Sequence, residues 1–469
     1  MPTHNHNNTV QKTFQEVDFM HRDRVVIIGG DAAGMSAASK IRRVNPDRNL
    51  LVLERTDHTS YSACGMPYYI GGLIGDVNSL IARSPEVFRD KYAIDVLTRH
   101  EVIAIDPKAQ RVTIRNDKRN DISEPFDQLL IATGARPFCP DVPGAGVKGI
   151  FGLSTLISGI RVKEFIRQNN PQKAVVVGAG YIGLEMAEAL VRQKLEVSLV
   201  QRGREVMGTL DPNMGALVSE ALREIGVTLY LKEELKAFES TNGKVKAVIT
   251  DQRTLPADLV ILGMGVQPNS ELAKDAGIEL GVRNAIKVDD QMRTGTANIW
   301  AAGDCVATMH RLTGQPFYVA LGTVANKQGV IAGTNLAGGN ARFPGVVGTA
   351  VSKICKVEVA RTGLQEKELQ KLGSNYATAT IKTKTRAGYY PGSGAITVKL
   401  IGERGSGRLL GAQIVGMEGA AKRIDIIATA LTAGMTVADL IDLDLSYAPP
   451  FSPVWDPVQT AARQLLKGL

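Results

Sequence analysis

A single cysteine, Cys64, lies in the segment SYSACGMPYYI, residues 60–70, between small residues and a nearby proline. The fifth residue after Cys64 is Tyr69 and not a second cysteine, so no disulfide can form within this segment. A redox-active Cys64 must therefore alternate between the thiolate and either a mixed disulfide with a small thiol or a sulfenic acid. Both routes need the thiolate, and a thiol of ordinary pKa, about 8.5, is only about 3% ionised at pH 7.

The residues after Cys64 suggest how that pKa could be lowered. They read as the start of a helix with Pro67 in its first turn, and a helix N-terminus stabilises a nearby anion. The other cysteines, Cys139, Cys305 and Cys355, are scattered and are expected to be buried structural residues. Because no CxxC or CxxxxC pair occurs, the cysteines favour neither a disulfide framework nor a zinc site, and a reducing, cytoplasmic setting fits best.

Two glycine-rich segments, about 150 residues apart, predict dinucleotide-binding folds. The first, RVVIIGGDAAGMSAASKIRR, reads as a buried strand, a tight turn at Gly29 and a helix that begins close to Gly34. The next strand ends at Glu54, where an acid can accept a hydrogen bond from a ribose hydroxyl. Asp31 replaces the middle glycine of the GxGxxG pattern, which is a departure from it.

The second segment, KAVVVGAGYIGLEMAEAL, has the complete pattern with Gly178, Gly180 and Gly183. Such a turn lets the backbone approach a pyrophosphate at a helix N-terminus, so two turns predict two dinucleotides, FAD and a nicotinamide cofactor. The acid position of this second fold is Gln201. A carboxylate there would repel the 2′-phosphate of NADPH, whereas Arg202 and Arg204 offer donors to it, unless they are solvated loop residues. The sequence therefore predicts NADPH, with NADH tolerated.

Composition limits the classes of ligand and partner that the protein is expected to bind. The 469 residues include 55 Lys and Arg against 47 Asp and Glu, a net charge of +8 that suits anionic ligands. No dense basic run with interleaved aromatics occurs, so nucleic-acid binding is not expected. Residues 1–22 read as a disordered tail and neither a signal peptide nor an anchor, and no apolar stretch is long enough to span a bilayer, so no membrane partner is expected.

Two further segments resemble a known family. FDQLLIATGARP, residues 126–137, and NIWAAGDCVA, residues 298–307, resemble the FAD-domain signatures of the pyridine nucleotide disulfide oxidoreductases, and the resemblance covers nearly the whole chain after residue 22. It implies cofactor contacts at Gly29, Gly34, Glu54, Arg55, Thr133, Gly134 and Asp304 for FAD, and at Gly178, Gly180, Tyr181, Gly183, Glu185, Arg202 and Gly265 around the nicotinamide cofactor, with Glu185 close to the flavin.

The resemblance also implies the fold class, which is α/β. Two Rossmann-like dinucleotide-binding domains, with the nicotinamide domain inserted in the FAD domain, are followed by a C-terminal α+β dimerisation domain. The predicted boundaries are residues 23–148 and 269–342 for the FAD domain, 149–268 for the NAD(P)H domain and 343–469 for the dimerisation domain. A homodimer is expected.

The segment TSYSACGMPYYIGG looks like that of coenzyme A disulfide reductases and of single-cysteine NADH oxidases and peroxidases. The oxidases and peroxidases carry a histidine in the first glycine turn, where this chain has Ala32. The segments RAGYYPGSG and DLSYAPPFSPVWDPV resemble the tyrosine segments of coenzyme A disulfide reductases. By that match Tyr389 and Tyr447 bind or protonate the departing thiolate near Cys64, and Tyr447 acts across the dimer interface. Each tyrosine could instead belong to the core.

Substrate contacts carried over from the same resemblance are Ser36, Lys40, Arg43, Ser60 and Asn326. Lys40 and Arg43 lie about one helical turn apart and could hold coenzyme A phosphates, although surface solvation explains them equally well. Trp455 stands where the family often has a lysine, which leaves room for a polysulfide or another small persulfide.

The sequence thus predicts an FAD-dependent enzyme that uses NADPH and Cys64 to reduce coenzyme A disulfide, with coenzyme A as a ligand that it could bind. One alternative is an NAD(P)H-dependent polysulfide or persulfide reductase. Another is an NAD(P)H oxidase or peroxidase that works through a Cys64 sulfenic acid. A flavin-binding redox sensor with little turnover is the alternative from a different class, and an intact nicotinamide site argues against it.

Overall fold

The computed structural model describes residues 24–469, so the predicted tail, residues 1–22, lies outside the described residues. Residues 24–148 contain β1 (Arg24–Ile28), α1 (Ala32–Val44), β2 (Asn49–Glu54), α2 (Met66–Ile70), α3 (Pro85–Tyr92), β3 (Asp95–Thr98), β4 (Glu101–Asp106), β5 (Arg111–Arg115), β6 (Asp121–Pro125), β7 (Gln128–Ile131) and β8 (Ala135–Pro137). Residues 149–268 contain β9 (Ile150–Gly152), α4 (Leu156–Asn169), β10 (Lys173–Val177), α5 (Tyr181–Arg192), β11 (Glu196–Gln201), α6 (Pro212–Glu224), β12 (Thr228–Leu231), β13 (Leu235–Thr241), β14 (Lys244–Thr250), β15 (Thr254–Pro256), β16 (Leu259–Leu262) and β17 (Val266–Pro268).

The rest of the chain adds a return to the first sheet and then a separate sheet. Residues 269–342 contain α7 (Glu271–Asp275), β18 (Ile299–Ala301), β19 (Thr308–Met309), β20 (Pro316–Phe317) and α8 (Gly322–Leu336). Residues 343–469 contain β21 (Ala350–Ile354), β22 (Val357–Gly363), α9 (Glu366–Lys371), β23 (Tyr376–Lys384), β24 (Ala395–Glu403), β25 (Leu409–Gly416), α10 (Ala420–Ala433), α11 (Val437–Ile441) and α12 (Pro457–Leu466). None of the helices within residues 24–469 is both long and apolar enough to cross a membrane.

The first glycine motif lies in a parallel sheet of five strands in the order β18-β7-β1-β2-β3. β1 pairs with β2 on one side and with β7 on the other, and β18 pairs with β7. The apolar residues of β1 are buried, as expected of a parallel strand that is covered on both faces. Because β18 follows the second motif in the chain, the polypeptide leaves this sheet and later returns to it.

The second motif lies in another parallel sheet of five strands, in the order β12-β11-β10-β16-β9. Each motif therefore forms the strand, tight turn and helix that its sequence predicts. The last sheet is antiparallel, in the order β21-β22-β25-β24-β23, and α10 and α12 pack on it through a shared apolar core. The predicted fold class, two dinucleotide-binding domains and a C-terminal α+β domain, is confirmed. The boundaries assigned from sequence remain predictions.

Helices α1 and α8 meet through two close backbone contacts. Helix α8 lies directly against α1, because a Cβ at Gly329 would stand 2.3 Å from the carbonyl oxygen of Ala33, and one at Gly333 would stand 2.6 Å from that of Ala37. Only glycine allows backbones to approach this closely. The contact places Ser36 of α1 beside Asn326 of α8, and both were predicted to bind substrate.

A buried polar network, called here the Asp211 network, joins the second sheet's domain to the C-terminal domain. Asp211 Oδ2 lies 2.8 Å from Lys399 Nζ, and each of these side chains is only 3% exposed. The Asp211 carboxylate also accepts a hydrogen bond of 2.7 Å from Gln413 Nε2, and Gln413 Oε1 accepts one of 2.7 Å from the Asp211 amide. These bonds satisfy the buried charge and fix one arrangement of the two domains.

Candidate active site

The two glycine turns have the geometry of dinucleotide sites. Gly29 has a φ of +108°, and a Cβ there would meet the carbonyl oxygen of Ala132 at 2.2 Å. The equivalent Gly178 has a φ of +97°, and Gly183 packs so closely that a Cβ would lie 2.0 Å from the oxygen of Gly178. At Gly180 the nearest atom to such a Cβ is 3.8 Å away, so the N-terminus of α5 stays open to a ligand.

A cavity of about 510 Å³ opens beside the first turn, and the residues around it fit the adenosine half of FAD. Its lining includes Gly29, Glu54, Arg55 and Thr133, all predicted cofactor contacts. Glu54 is held at the end of β2 by the amides of Gly30, at 2.8 Å, and Thr56, at 2.7 Å. The carboxylate therefore stands where the ribose of a bound dinucleotide is recognised.

The edge of this site is formed by residues on either side of the inserted segment. The Thr133 hydroxyl donates a hydrogen bond of 2.6 Å to the carbonyl of Asn269. Gly34, Gly134 and Gly265 complete the turns: a Cβ at Gly34 would overlap the oxygen of Gly29, and the other two have φ values of +68° and +96°. All three predicted glycines are thus at positions that the backbone restricts.

Cys64 lies in a turn of 3-10 helix, Ala63–Gly65, directly before α2, so the predicted helix with Pro67 in its first turn is confirmed. The thiol is exposed to solvent, yet the protein around it desolvates it enough to raise its pKa. Glu185 and Asp304 raise that pKa further, and the Cys64 amide lowers it by less. The prediction that the start of the helix lowers the pKa of Cys64 is therefore wrong, because the protein's own groups together raise it.

The two carboxylates that raise the pKa of Cys64, Glu185 and Asp304, belong to different domains. Glu185, on α5, accepts a hydrogen bond of 2.6 Å from the hydroxyl of Ser352, on β21 of the C-terminal domain. Burial raises the pKa of Glu185, and it raises that of Asp304 to about 6. Sequence reasoning missed Ser352, since a serine in a strand carries no signal of a partner so far along the chain.

The remaining cysteines differ from the expectation in part. Cys305 is buried, as expected, but Cys139 is exposed and Cys355 is only partly buried. The prediction that all three are buried is therefore wrong for Cys139, which lies in the irregular segment after β8, where no sheet covers it.

Gln201, which occupies the acid position of the second dinucleotide fold, faces the glycine turn of the same fold. Gln201 Oε1 accepts a hydrogen bond of 3.3 Å from the amide of Ala179. Arg202 is 82% exposed and meets Glu234 at 4.0 Å, the outer limit of an ion pair, and Arg204 is exposed as well. Tyr181, the first residue of α5, is partly buried, and burial raises its pKa.

The two tyrosines of the C-terminal domain lie together on its surface. Tyr389 is 77% and Tyr447 45% exposed, so the alternative that they are core residues is wrong. A hydrogen bond with the Tyr389 hydroxyl raises the pKa of Tyr447. Among the hydrogen bonds of residues 24–469 within this one chain, none links either hydroxyl to Cys64, so the protomer pairs the tyrosines without bringing them to the thiol.

A buried arginine, which the sequence analysis missed, holds both tyrosine segments. Arg423 Nε donates to Asp456 Oδ2 at 2.9 Å, and its Nη2 donates to the carbonyls of Thr385, at 3.0 Å, and Phe451, at 3.3 Å. Its signal was a basic residue within the otherwise apolar face of KRIDIIATALTAG. The nearby Trp455 stacks on another arginine, Arg463, whose guanidinium carbon lies 4.4 Å from the ring centroid.

Some of the predicted substrate residues are brought together. The Ser36 hydroxyl donates to Asn326 Oδ1 at 2.7 Å across the contact of α1 with α8. Lys40 and Arg43 continue along the same helix, with Lys40 partly buried and Arg43 exposed. Ser60 lies elsewhere, before Cys64, in a left-handed conformation with a φ of +49°.

The chain belongs to the pyridine nucleotide-disulphide oxidoreductase family. Residues 23–329 match the family described as pyridine nucleotide-disulphide oxidoreductase, and residues 349–457 match its dimerisation domain. The chain is accordingly an enzyme, a flavin-dependent NAD(P)H oxidoreductase.

Several proteins similar to this chain are named for sulfur-containing substrates. The chain is 41% identical to an NAD(P)H sulfur oxidoreductase (CoA-dependent) of Pyrococcus abyssi, over 94% of this chain and 98% of the relative. It is 31% identical to the coenzyme A disulfide reductase of Staphylococcus haemolyticus, over 92% and 96% of the two chains. Among solved structures, the NAD-dependent persulfide reductase of A. fulgidus matches with a TM-score of 0.92 and 41% identity, over 95% of this chain and 83% of that one.

Proposed function

We propose that the protein is a cytoplasmic, homodimeric NADPH-coenzyme A disulfide reductase that works through Cys64. The observation that carries the proposal is a lone, accessible cysteine in the turn before α2, beside Glu185 and Asp304, which ties it to both cofactor domains. The name of the Staphylococcus relative supports the substrate, and the match to a dimerisation domain supports the dimer.

The thiol chemistry follows from a single sulfur. The Cys64 thiolate attacks one sulfur of the disulfide, the S–S bond breaks, and one coenzyme A leaves as a thiolate that takes a proton. FAD, when bound, supplies the electron pair that originates as hydride on NADPH. Reduction of the mixed disulfide by that pair would release the second thiol and restore the Cys64 thiolate, so that one NADPH and one proton would yield two thiols.

The paired tyrosines are the proposed source of the proton for the first leaving group. Both side chains are exposed, which suits donors that must meet a substrate, and Tyr389 raises the pKa of Tyr447. In a homodimer Tyr447 would reach the partner's Cys64, as the family resemblance implies. Ser36 and Asn326, already joined at 2.7 Å, and the cations of α1 are proposed to hold the nucleotide part of the substrate.

The preference for NADPH is argued from charge. Gln201 does not supply the carboxylate that would repel a 2′-phosphate, and Arg202 is exposed with its ionic contact to Glu234 at 4.0 Å. A charge-assisted hydrogen bond to the phosphate contributes about 1.5–3 kcal/mol.

The test compares Cys64→Ser with Cys139→Ser, a matched control because Cys139 is also exposed but lies outside this site. We expect Cys139→Ser to reduce coenzyme A disulfide as the wild type does, and Cys64→Ser to lose this activity while its FAD is still reduced by NADPH. Wild-type protein denatured without reductant should carry the mass of coenzyme A at Cys64. Full disulfide reduction by Cys64→Ser would refute the mechanism.

A second candidate is reduction of polysulfide or a small persulfide, and the names of the Pyrococcus and A. fulgidus relatives favour it. Assays in parallel with coenzyme A disulfide, glutathione disulfide, polysulfide, hydrogen peroxide and oxygen, with each nicotinamide cofactor, separate the candidates. Fastest turnover with polysulfide would replace the first proposal. A Cys64 sulfenic acid trapped by dimedone, without a thiol adduct, would favour the oxidase or peroxidase.

A further inference from the structure

The turn of the first glycine motif is joined to the loop that carries Cys64 by two hydrogen bonds. The amide of Tyr61 donates to Asp31 Oδ1 at 3.1 Å, and the amide of Ser60 donates to the carbonyl of Gly30 at 3.0 Å. The first bond exists because an aspartate replaces the middle glycine of the motif. Asp31 is the N-cap residue of α1, yet its side chain makes no capping hydrogen bond and is directed to the cysteine loop instead.

The loop that carries Cys64 contains a strained residue, Ser60, which its hydrogen bonds must hold in place. Ser60 has a φ of +49°, an unfavourable conformation for a residue with a side chain, and it is held there by its neighbours. Its carbonyl accepts a hydrogen bond of 2.8 Å from Ala82, and the amide of Ser62 donates one of 2.7 Å to Leu80. Asp31 provides the tie from this loop to the cofactor turn through a side chain, which glycine cannot do.

The charged side chains that act on Asp31 are acidic. Glu54 faces it from the end of β2 and Asp304 from the segment after β18, while Tyr61 and Cys64 face it from the cysteine loop. Desolvation, followed by Glu54 and Asp304, raises the pKa of Asp31 to about 7, although the Tyr61 amide lowers it. Arg55 supplies a positive charge nearby, which acts to lower the pKa of Tyr61.

We propose that Asp31 is a positioning residue that fastens the Cys64 loop to the pyrophosphate-binding turn, and that it holds a proton when FAD is bound. The diphosphate of a dinucleotide binds at the N-terminus of the helix that follows this turn, which is α1. A nearby anion disfavours the ionised carboxylate, so FAD and the Asp31 proton stabilise each other. The proposal takes from the proposed function only that FAD is the ligand, and the identity of the disulfide does not enter it.

The consequence is a pH dependence of FAD affinity with a defined sign. Below pH 7 the carboxyl is mostly protonated before FAD arrives, and affinity is highest. Above that pH each FAD bound must also take up a proton, so the dissociation constant rises by up to about tenfold per pH unit. The experiment dilutes the holoenzyme at about pH 6, 7 and 8 and follows freed FAD by its fluorescence.

Two substitutions separate the effect of the Asp31 charge from that of its hydrogen bond with the Tyr61 amide. Asp31→Asn keeps an oxygen that can accept from the Tyr61 amide, and Asp31→Gly restores the motif but removes the acceptor. We expect both to abolish the rise in dissociation constant between pH 7 and pH 8. Hydrogen exchange of the Tyr61 amide, measured with FAD in excess, should be about tenfold faster in Asp31→Gly and close to wild type in Asp31→Asn.

Each outcome decides one part. A pH dependence that persists in Asp31→Asn belongs to Glu54 or Asp304 and overturns the proton assignment, as does a wild-type affinity that is constant from pH 7 to pH 8. Unchanged exchange in Asp31→Gly overturns the positioning role. If Asp31→Gly does not fold, slow exchange in Asp31→Asn supports the tie and fast exchange refutes it. Loss of coenzyme A disulfide activity in the wild type would affect the proposed function alone, because FAD release is measured without substrate.

Discussion

Gly329→Ala tests whether the close contact of α8 with α1 builds the substrate site. The added Cβ would lie 2.3 Å from the oxygen and 2.9 Å from the Cα of Ala33. Ordinary carbon–oxygen contacts need about 3.3 Å, so the helices must separate by roughly 1 Å. Both atoms met belong to backbone, which no rotamer change can relieve, so we expect the upper end of the usual overpacking cost, about 3 kcal/mol, and an apparent Tm lower by about 5–10 °C.

The same separation should break the hydrogen bond of Ser36 with Asn326, and this gives the variant a functional readout. We expect a higher KM for coenzyme A disulfide with the KM for NADPH unchanged. The matched control is Gly322→Ala in the first turn of the same helix, where a Cβ meets nothing within 4 Å. If Gly329→Ala leaves both Tm and the disulfide KM at the values of Gly322→Ala, the packing argument is refuted.

Three further outcomes are expected. Arg202→Glu should raise the KM for NADPH about tenfold or more while affecting NADH little, and equal effects would remove the NADPH assignment. Glu185→Gln removes a charge that raises the pKa of Cys64, so the midpoint of Cys64 alkylation should move to lower pH, and an unmoved midpoint would show that the Glu185 charge does not act on the thiol. Arg423→Met leaves the buried Asp456 without its cationic partner and should cost about 3–5 kcal/mol. Adding Asp456→Leu removes the buried charge, together with the cap of α12, and should restore part of the stability without restoring disulfide reduction; recovered activity would contradict the role of Arg423 in placing the tyrosines.

The sequence predicts this fold well where a local requirement is strict. Gly29 and Gly178 both have positive φ, and Gly183 lies against backbone, so the motif spacing reflects constraints that the turns themselves impose. The strands that precede the turns, β1 and β10, read as continuous apolar runs because they are buried on both faces. Fold class and family follow from such local patterns.

The candidate site is less predictable because its properties depend on residues that are distant in sequence. The helix start after Cys64 was visible, but the carboxylates that raise the thiol pKa come from α5 and from the segment after β18. The hydrogen bond from Ser352 to Glu185 crosses 167 residues of sequence. No periodicity or spacing encodes a contact of this kind, and the same holds for Arg423, whose partners lie on two separate loops.

The Asp211 network has a consequence for protein engineering. A chimaera that takes its C-terminal domain from a relative would leave the Asp211 carboxyl buried at the junction unless the donor supplies equivalents of Lys399 and Gln413. Such an unpaired group costs about 3–5 kcal/mol, a large share of the stability of an ordinary domain. The C-terminal domain is therefore not an exchangeable module, and a successful transplant must include the face of the neighbouring domain that it covers.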